Sequence, residues 1–128
     1  MLKPIAISAL ALIASCSGTK KESITLPKTI EESVQSSLRT PENTFRDQYR
    51  HPVETLKFFG LENTMTVIEI QPGAGWYLEI LAPFLAQNGK YIMANPAVNP
   101  AVAYQVKNSE KIKAFIESYP VLSKSVST

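Results

Sequence analysis

The apolar positions of the chain fall into blocks of different period, cut by Pro, Gly and Asn. Residues 5–14 are continuously apolar and small, behind a start carrying the single cation Lys3. Residues 17–28 are polar and small. From Thr29 onward Ile30, Val34 and Leu38 recur every four residues, which predicts a helix with a narrow apolar stripe ending at Thr40-Pro41. Thr29 and Glu32 have the spacing of a capping box at its start. Residues 43–51 are polar with scattered aromatics. Pro52 then suits a first helical turn, where its missing amide has no partner to lose. A short helix over 53–59 follows, with Val53, Leu56 and Phe59 on one face and Gly60 as its cap.

Residues 65–70 are nearly all apolar or β-branched, the signature of a parallel strand buried on both faces. A turn is predicted over 71–75 and a helix over 76–87, with Ile80, Leu81, Phe84 and Leu85 inward. Pro83 should kink that helix or end it early. Asn88-Gly89 is a stop, and 91–94 reads as a second strand. Two Asn-Pro pairs make 95–106 a loop. Ser109 caps a last helix with Ile112, Phe115 and Ile116 inward, stopped by Tyr119-Pro120. Val126 could begin a third strand. Strands alternating with helices predict an α/β fold of two to three parallel strands with flanking helices.

With 45% hydrophobic and 19% charged residues, the 128-residue chain is globular rather than disordered, and long enough for one small core. A formal charge of +2, with no basic run interleaved with aromatics, gives no electrostatic footprint for nucleic acid. The one basic residue, the apolar run and the small residues after it read as an export signal over 1–15. The run is too short to span a bilayer, which takes ~20 residues. Cys16, the sole cysteine, excludes an intrachain disulfide. Coming directly after Ile13-Ala14-Ser15, it resembles the lipobox of bacterial lipoproteins; the alternative is an ordinary signal with a chance cysteine. The lipobox resemblance implies lipidation of Cys16, anchoring in the bacterial envelope and a domain in the periplasm. Ser17, rather than an acid, favours the outer membrane. Cleavage before Cys16 removes Lys3 and takes the charge from +2 to +1. Residues 16–28 would then be a polar tether and 29–128 the domain.

The chemistry concentrates at Glu69-Ile70-Gln71-Pro72-Gly73-Ala74-Gly75-Trp76. A strand ends in an acid, and a glycine turn runs into a helix. Gly73 and Gly75 lack Cβ, so the backbone can bend and a ligand can approach it. The crevice at the carboxyl end of parallel strands is where such sheets bind ligands. No lysine follows the glycines, which excludes a nucleotide-phosphate loop. Leu78 stands at the third glycine position of the dinucleotide fingerprint, so that match fails as well.

An acid ahead of two spaced glycines resembles motif I of class I S-adenosylmethionine-dependent methyltransferases. The ligand is cationic there, so a nearby carboxylate suits it where it would repel a pyrophosphate. The likeness extends to Arg50-His51-Pro52, Glu54-Thr55-Leu56, Phe58-Phe59-Gly60-Leu61 and Trp76-Tyr77-x-Glu79-Ile80-Leu81-Ala82-Pro83. Together these resemble a bacterial family of predicted methyltransferases, many of them exported or lipid-anchored, over residues 40–126 and its N-terminal half. The resemblance implies a Rossmann-like sheet with S-adenosyl-L-methionine as cofactor. Glu69 would help hold the methionine end through water, Gly73 and Gly75 would let the backbone wrap it, and Asn95 would bond the ribose hydroxyls. Two departures stand out: Asn95 where the class has an acid, and Gln71 where it has a first glycine. Trp76 and Tyr77 either cover the cofactor or pack the helix on the sheet.

Other residues carry open alternatives. His51, the only histidine, reads as a helix-start residue whose ring bonds the backbone rather than as a base. Arg46, Asp47 and Arg50 form either a substrate-side cluster or a solvated surface group. Phe58-Phe59 reads as core. No cluster has metal-ligand spacing. A full sheet of this class has seven strands, so the chain reads as the fold's first part, with the second strand left open. Two functions follow: the cofactor-binding half of a lipid-anchored methyltransferase completed by a complementing polypeptide, or a non-catalytic envelope lipoprotein with a small α/β binding domain.

Overall fold

The computed structural model describes residues 24–128. The export signal and Cys16 lie outside the described residues, as does all but the end of the tether. The domain is mixed α/β: three parallel strands in the order β1-β2-β3, with helices before and between them.

Four short helices lead into the sheet: α1 (Ile30–Val34), α2 (Pro41–Thr44), α3 (Asp47–Arg50) and α4 (Pro52–Phe58). The capping box forms as predicted. Thr29 Oγ1 accepts from the Glu32 amide at 3.1 Å, and Glu32 accepts in return from the Thr29 amide. The helix stops before Leu38, because Ser36 turns its hydroxyl onto the Leu38 amide in competition with the helix ladder. Residues 41–50, with no periodic apolar signal, form single helical turns. At the end of α4 the Leu61 amide bonds Leu56 and the Gly60 amide bonds Lys57, with Gly60 at φ +64°. This is the left-handed cap expected of that glycine. It swings Phe58 and Phe59 outward to 86% and 71% exposure, which corrects their assignment to the core. Of the predicted apolar face only Leu56 is fully inward, with Pro52 buried at the helix start.

Strand β1 (Thr66–Ile70) leads through the glycine turn to α5 (Leu78–Leu85), then β2 (Lys90–Ala94), α6 (Ala103–Ser118), a 3₁₀ turn (Pro120–Lys124) and β3 (Val126–Ser127). The third strand is therefore present. Every residue of α5 is buried, and the helix runs through Pro83 to end two residues later. Proline supplies no amide to the Glu79 carbonyl one turn back. In the same turn the buried Ser33 hydroxyl donates to the Ile80 carbonyl at 2.5 Å. Helix α6 starts six residues before Ser109, which sits within it. Asn99 Oδ1 accepts from the Ala101 amide and Gln105 Oε1 from the Asn99 amide, both at 2.9 Å. These side chains organise the start that Ser109 was expected to make.

The register Val67–Tyr91 and Glu69–Met93 puts these four side chains on one face of the sheet. Tyr91 and Met93 are fully buried there, in one cluster with Leu78, Leu81, Leu85, Ile112 and Leu122. The other face carries Ile68 and Ile70, 61% and 77% exposed. That corrects the reading of β1 as buried on both faces. The edges of the sheet are β1 and the two-residue β3, so β2 is central rather than the open edge. The Met65 carbonyl and the Gln71 amide bond β2. By parallel-strand alternation the amides and carbonyls of Thr66, Ile68 and Ile70 point away from it.

A bare apolar face beside an unpaired edge favours association. The double substitution Ile68→Lys/Ile70→Lys should reduce binding of a hydrophobic dye and self-association by light scattering, with the thermal midpoint moved by only a few degrees. A large loss of stability would show that these side chains support the core.

Candidate functional site

The site is built at the carboxyl end of β1. Gln71, Gly73 and Gly75 all take left-handed backbone, with φ of +57°, +59° and +86°. Glycine occupies that region freely, whereas an L side chain pays about 1–2 kcal/mol. Gln71 thus holds a backbone conformation that glycine would adopt freely. The turn closes with the Gly75 amide on the Pro72 carbonyl at 3.0 Å. A Cβ on Gly75 would meet Leu78 Cδ2 at 3.2 Å and Ile112 Cγ1 at 3.5 Å, so close packing of α5 and α6 also requires it. A Cβ on Gly73 would meet nothing within 4 Å: there the loop faces open space.

Glu69 is half-buried above this turn. Tyr91, fully buried on the neighbouring strand, donates its phenol to Glu69 Oε2. Burial raises the Glu69 pKa, against the opposing pull of the Tyr91 bond and the Arg50 charge. Tyr91 is pushed up by burial and by Glu69, so it stays a donor. Tyr77 is raised by burial and by Glu69, with Arg50 opposing. Glu69, Tyr77, Tyr91 and Arg50 are therefore one electrostatic group. Asn95 immediately follows β2 and is exposed. The Gln71 amide bonds the Ala94 carbonyl at 3.1 Å, which brings Gln71 and Asn95 level on adjacent strands. Glu69, Gln71, Gly73 and Asn95 thus all lie at, or just beyond, the carboxyl ends of the adjacent strands β1 and β2.

Trp76 does not lie open at those strand ends. It is 3% exposed, and its indole donates to the Asn43 carbonyl at 3.0 Å and to Asp47 Oδ1 at 3.2 Å. Its half-exposed neighbour Tyr77, 4.5 Å away ring to ring, is the aromatic on the Glu69 side. Asp47 belongs neither to a solvated surface group nor to a substrate cluster. It takes both terminal nitrogens of the buried Arg39, a residue the sequence pattern did not single out. Arg50 lies over the Trp76 ring, 4.7 Å from its centroid. His51 is exposed at φ +45°, linking α3 to α4, and its ring bonds no backbone group among the described residues. Its role is carried by its backbone.

A second hollow of about 340 Å³ lies between α2, the start of α5 and α6, lined by Thr40, Glu42, Arg46, Gly75, Lys111 and Phe115 among others. It touches the glycine turn but not Glu69, Gln71 or Asn95. Beside it the buried Glu79 accepts from the Thr40 amide and hydroxyl, both at 3.0 Å. Among the described residues no three His, Cys, Asp or Glu side chains could hold a metal ion, and no helix is long and apolar enough to cross a membrane. No family model, curated protein or solved structure matches the chain.

Gln71→Gly should raise the thermal midpoint slightly, because relief of the left-handed residue exceeds the added unfolded-state entropy by a few tenths of a kcal/mol. Gly75→Ala should lower stability by about 1–3 kcal/mol in chemical denaturation, through strain and the Leu78 contact. Equal effects at both positions would contradict this account.

Proposed function

We propose that the chain is the cofactor-binding half of an S-adenosylmethionine-dependent methyltransferase, held in the bacterial envelope by lipid on Cys16 and active only with a polypeptide that supplies the rest of the sheet. The observation that carries this reading is the turn at the carboxyl end of β1. Three left-handed residues follow the carboxylate-bearing strand end, the middle one, Gly73, with open space over its backbone, and Asn95 follows the adjacent strand at the same level. A cationic, phosphate-free nucleoside suits that arrangement. Gly73 would let its chain approach the backbone, Glu69 would face its ammonium, and Asn95 would accept from a ribose hydroxyl. The cofactor would supply an electrophilic methyl group. These residues would bind and orient it, and the complementing polypeptide would supply the acceptor-binding residues.

The sheet supports the partner requirement. Its order β1-β2-β3 matches one wing of a doubly wound sheet, in which the next strand lies against β1. All-parallel sheets are covered on both faces, whereas here Ile68 and Ile70 are bare. A symmetric second copy paired edge to edge through β1 would run antiparallel, with that face still uncovered. One stacked face to face would leave the edge unpaired. A strand followed by a helix satisfies both.

Calorimetric titration of S-adenosylmethionine and S-adenosylhomocysteine into the full chain in mild detergent tests the reading. Saturable binding is expected, weakened at least tenfold in Gly73→Val. Folded protein that binds neither would instead favour a non-catalytic envelope lipoprotein. Anchoring is tested separately by metabolic labelling with a radioactive fatty acid. The label should enter the wild-type chain and be lost in Cys16→Ser; equal labelling would remove the anchor from the proposal.

A further inference from the structure

Two aromatic rings stand clear of the domain where the tether enters it. Phe58 and Phe59, at the end of α4, are 86% and 71% exposed and meet edge to face, with ring centroids 5.8 Å apart. They lie beside the start of α1: Lys57, the residue before them, pairs with Glu31 in the first turn of that helix. The chain arrives at the same turn, where the Lys28 and Thr29 amides bond the Glu32 carboxylate. The backbone around the pair is taken up, since the Phe59, Gly60 and Leu61 amides close the end of α4 on the Thr55, Lys57 and Leu56 carbonyls. Only the rings are left over. The other exposed aromatic pair, Phe45 and Tyr49, belongs to the α2–α3 segment, which is tied through Asp47 to Arg39 beyond the opposite end of α1.

Area decides between a protein and a lipid surface as the cover. An aromatic side chain buries about 150–250 Å², so the pair offers roughly 300–500 Å². A stable protein interface takes about 800 Å² from each partner, and the residues around the pair, Glu54, Lys57 and Glu62, are charged and exposed. A lipid surface needs no matching shape and accepts single rings at headgroup depth. The length of chain brings that surface within reach. From Cys16 to Leu26, which packs against the core, is ten residues, at most about 36 Å of chain. A domain of this size has a radius of gyration of about 13 Å, so the anchor stands no further from the domain than about the domain's own width. A second contact on so short a connection works at an effective concentration of about millimolar, and weak insertion then suffices.

We propose that Phe58 and Phe59 insert into the lipid surface on which Cys16 is anchored, docking the domain by the end where its chain enters. This rests on the lipid-anchor part of the reading above and not on the cofactor. The anchor keeps the domain at the surface, and the two rings fix which end faces it. Lys57 is neutralised by Glu31, so the rings rather than charge make the contact. It needs no anionic lipid and changes little with salt.

The test uses the full chain exported by a bacterial host, extracted in detergent and labelled with fluorophenylalanine. It carries five fluorine resonances, from Phe45, Phe58, Phe59, Phe84 and Phe115. Each is assigned by its loss when that residue is replaced by leucine. The protein is placed in phosphatidylcholine nanodiscs, with and without a lipid bearing a nitroxide on its acyl chain. The Phe58 and Phe59 signals should lose most of their intensity to the nitroxide, while those of exposed Phe45 and buried Phe84 keep theirs. The same loss should be seen when the salt concentration is raised. Mass spectrometry of the same sample reads the acyl group on Cys16. Acylated protein whose Phe58 and Phe59 signals are kept overturns the docking and leaves the anchor standing, and the rings are then left for a polypeptide to cover. Equal loss at Phe45 also overturns it, because the approach to the lipid would then be undirected. Absence of the acyl group overturns the anchor and the docking together.

Discussion

The buried Arg39 guanidinium is the constraint on which the N-terminal half depends. It bonds Asp47 through both terminal nitrogens and also the Val34 carbonyl, and Asp47 in turn accepts the Trp76 indole. One charge pair therefore joins the segment after α1, the first turn of α3 and the residue just beyond the glycine turn. Leaving one member of such a pair buried alone costs about 3–5 kcal/mol, a large part of the ~5–15 kcal/mol that stabilises a domain. The position of Arg50 follows from the same network, since it rests on the ring that Asp47 and Asn43 hold. The positions of Trp76 and Arg50 are thus set by a structural ion pair away from the strand ends.

Where a residue's role was local, the sequence carried it. The Thr29–Glu32 box, Pro52 at a first turn and Gly60 as a cap act through neighbours within a few positions, and each stands as read. The strand–turn–helix around Gly73 was legible for the same reason. Distance in the chain is what defeated the rest. Nothing near Arg39 marks it as the partner of a buried aspartate, and Trp76 is drawn inward by acceptors 29 and 33 residues earlier. Helix α6 was misplaced because its start rests on Asn99 and Gln105, a pairing of side chains six residues apart that periodicity does not register.

The strand β1 shows how a pattern can be correct about chemistry and wrong about environment. Val67, Ile68 and Ile70 suit burial on two faces, and the described chain buries one. The apolar content of Ile68 and Ile70 is thus in excess of what this domain uses. Gln71 is the converse: its side chain is unsuited to its backbone, yet the backbone is kept. In both places the fold overrides the preference of the isolated residue, for burial in one case and for backbone conformation in the other.

Helix α5 has a further consequence, in the time domain. Pro83 leaves its turn short of an amide, and the hydroxyl bound in that turn comes from Ser33, 47 residues earlier. The helix beneath the glycine turn therefore reaches its final state only after a long loop has closed. Contacts of such separation slow folding, since chain entropy is lost before they form. A nascent chain would hold an unfinished glycine turn until its first helix docks, so the strand–turn–helix unit should complete late in folding.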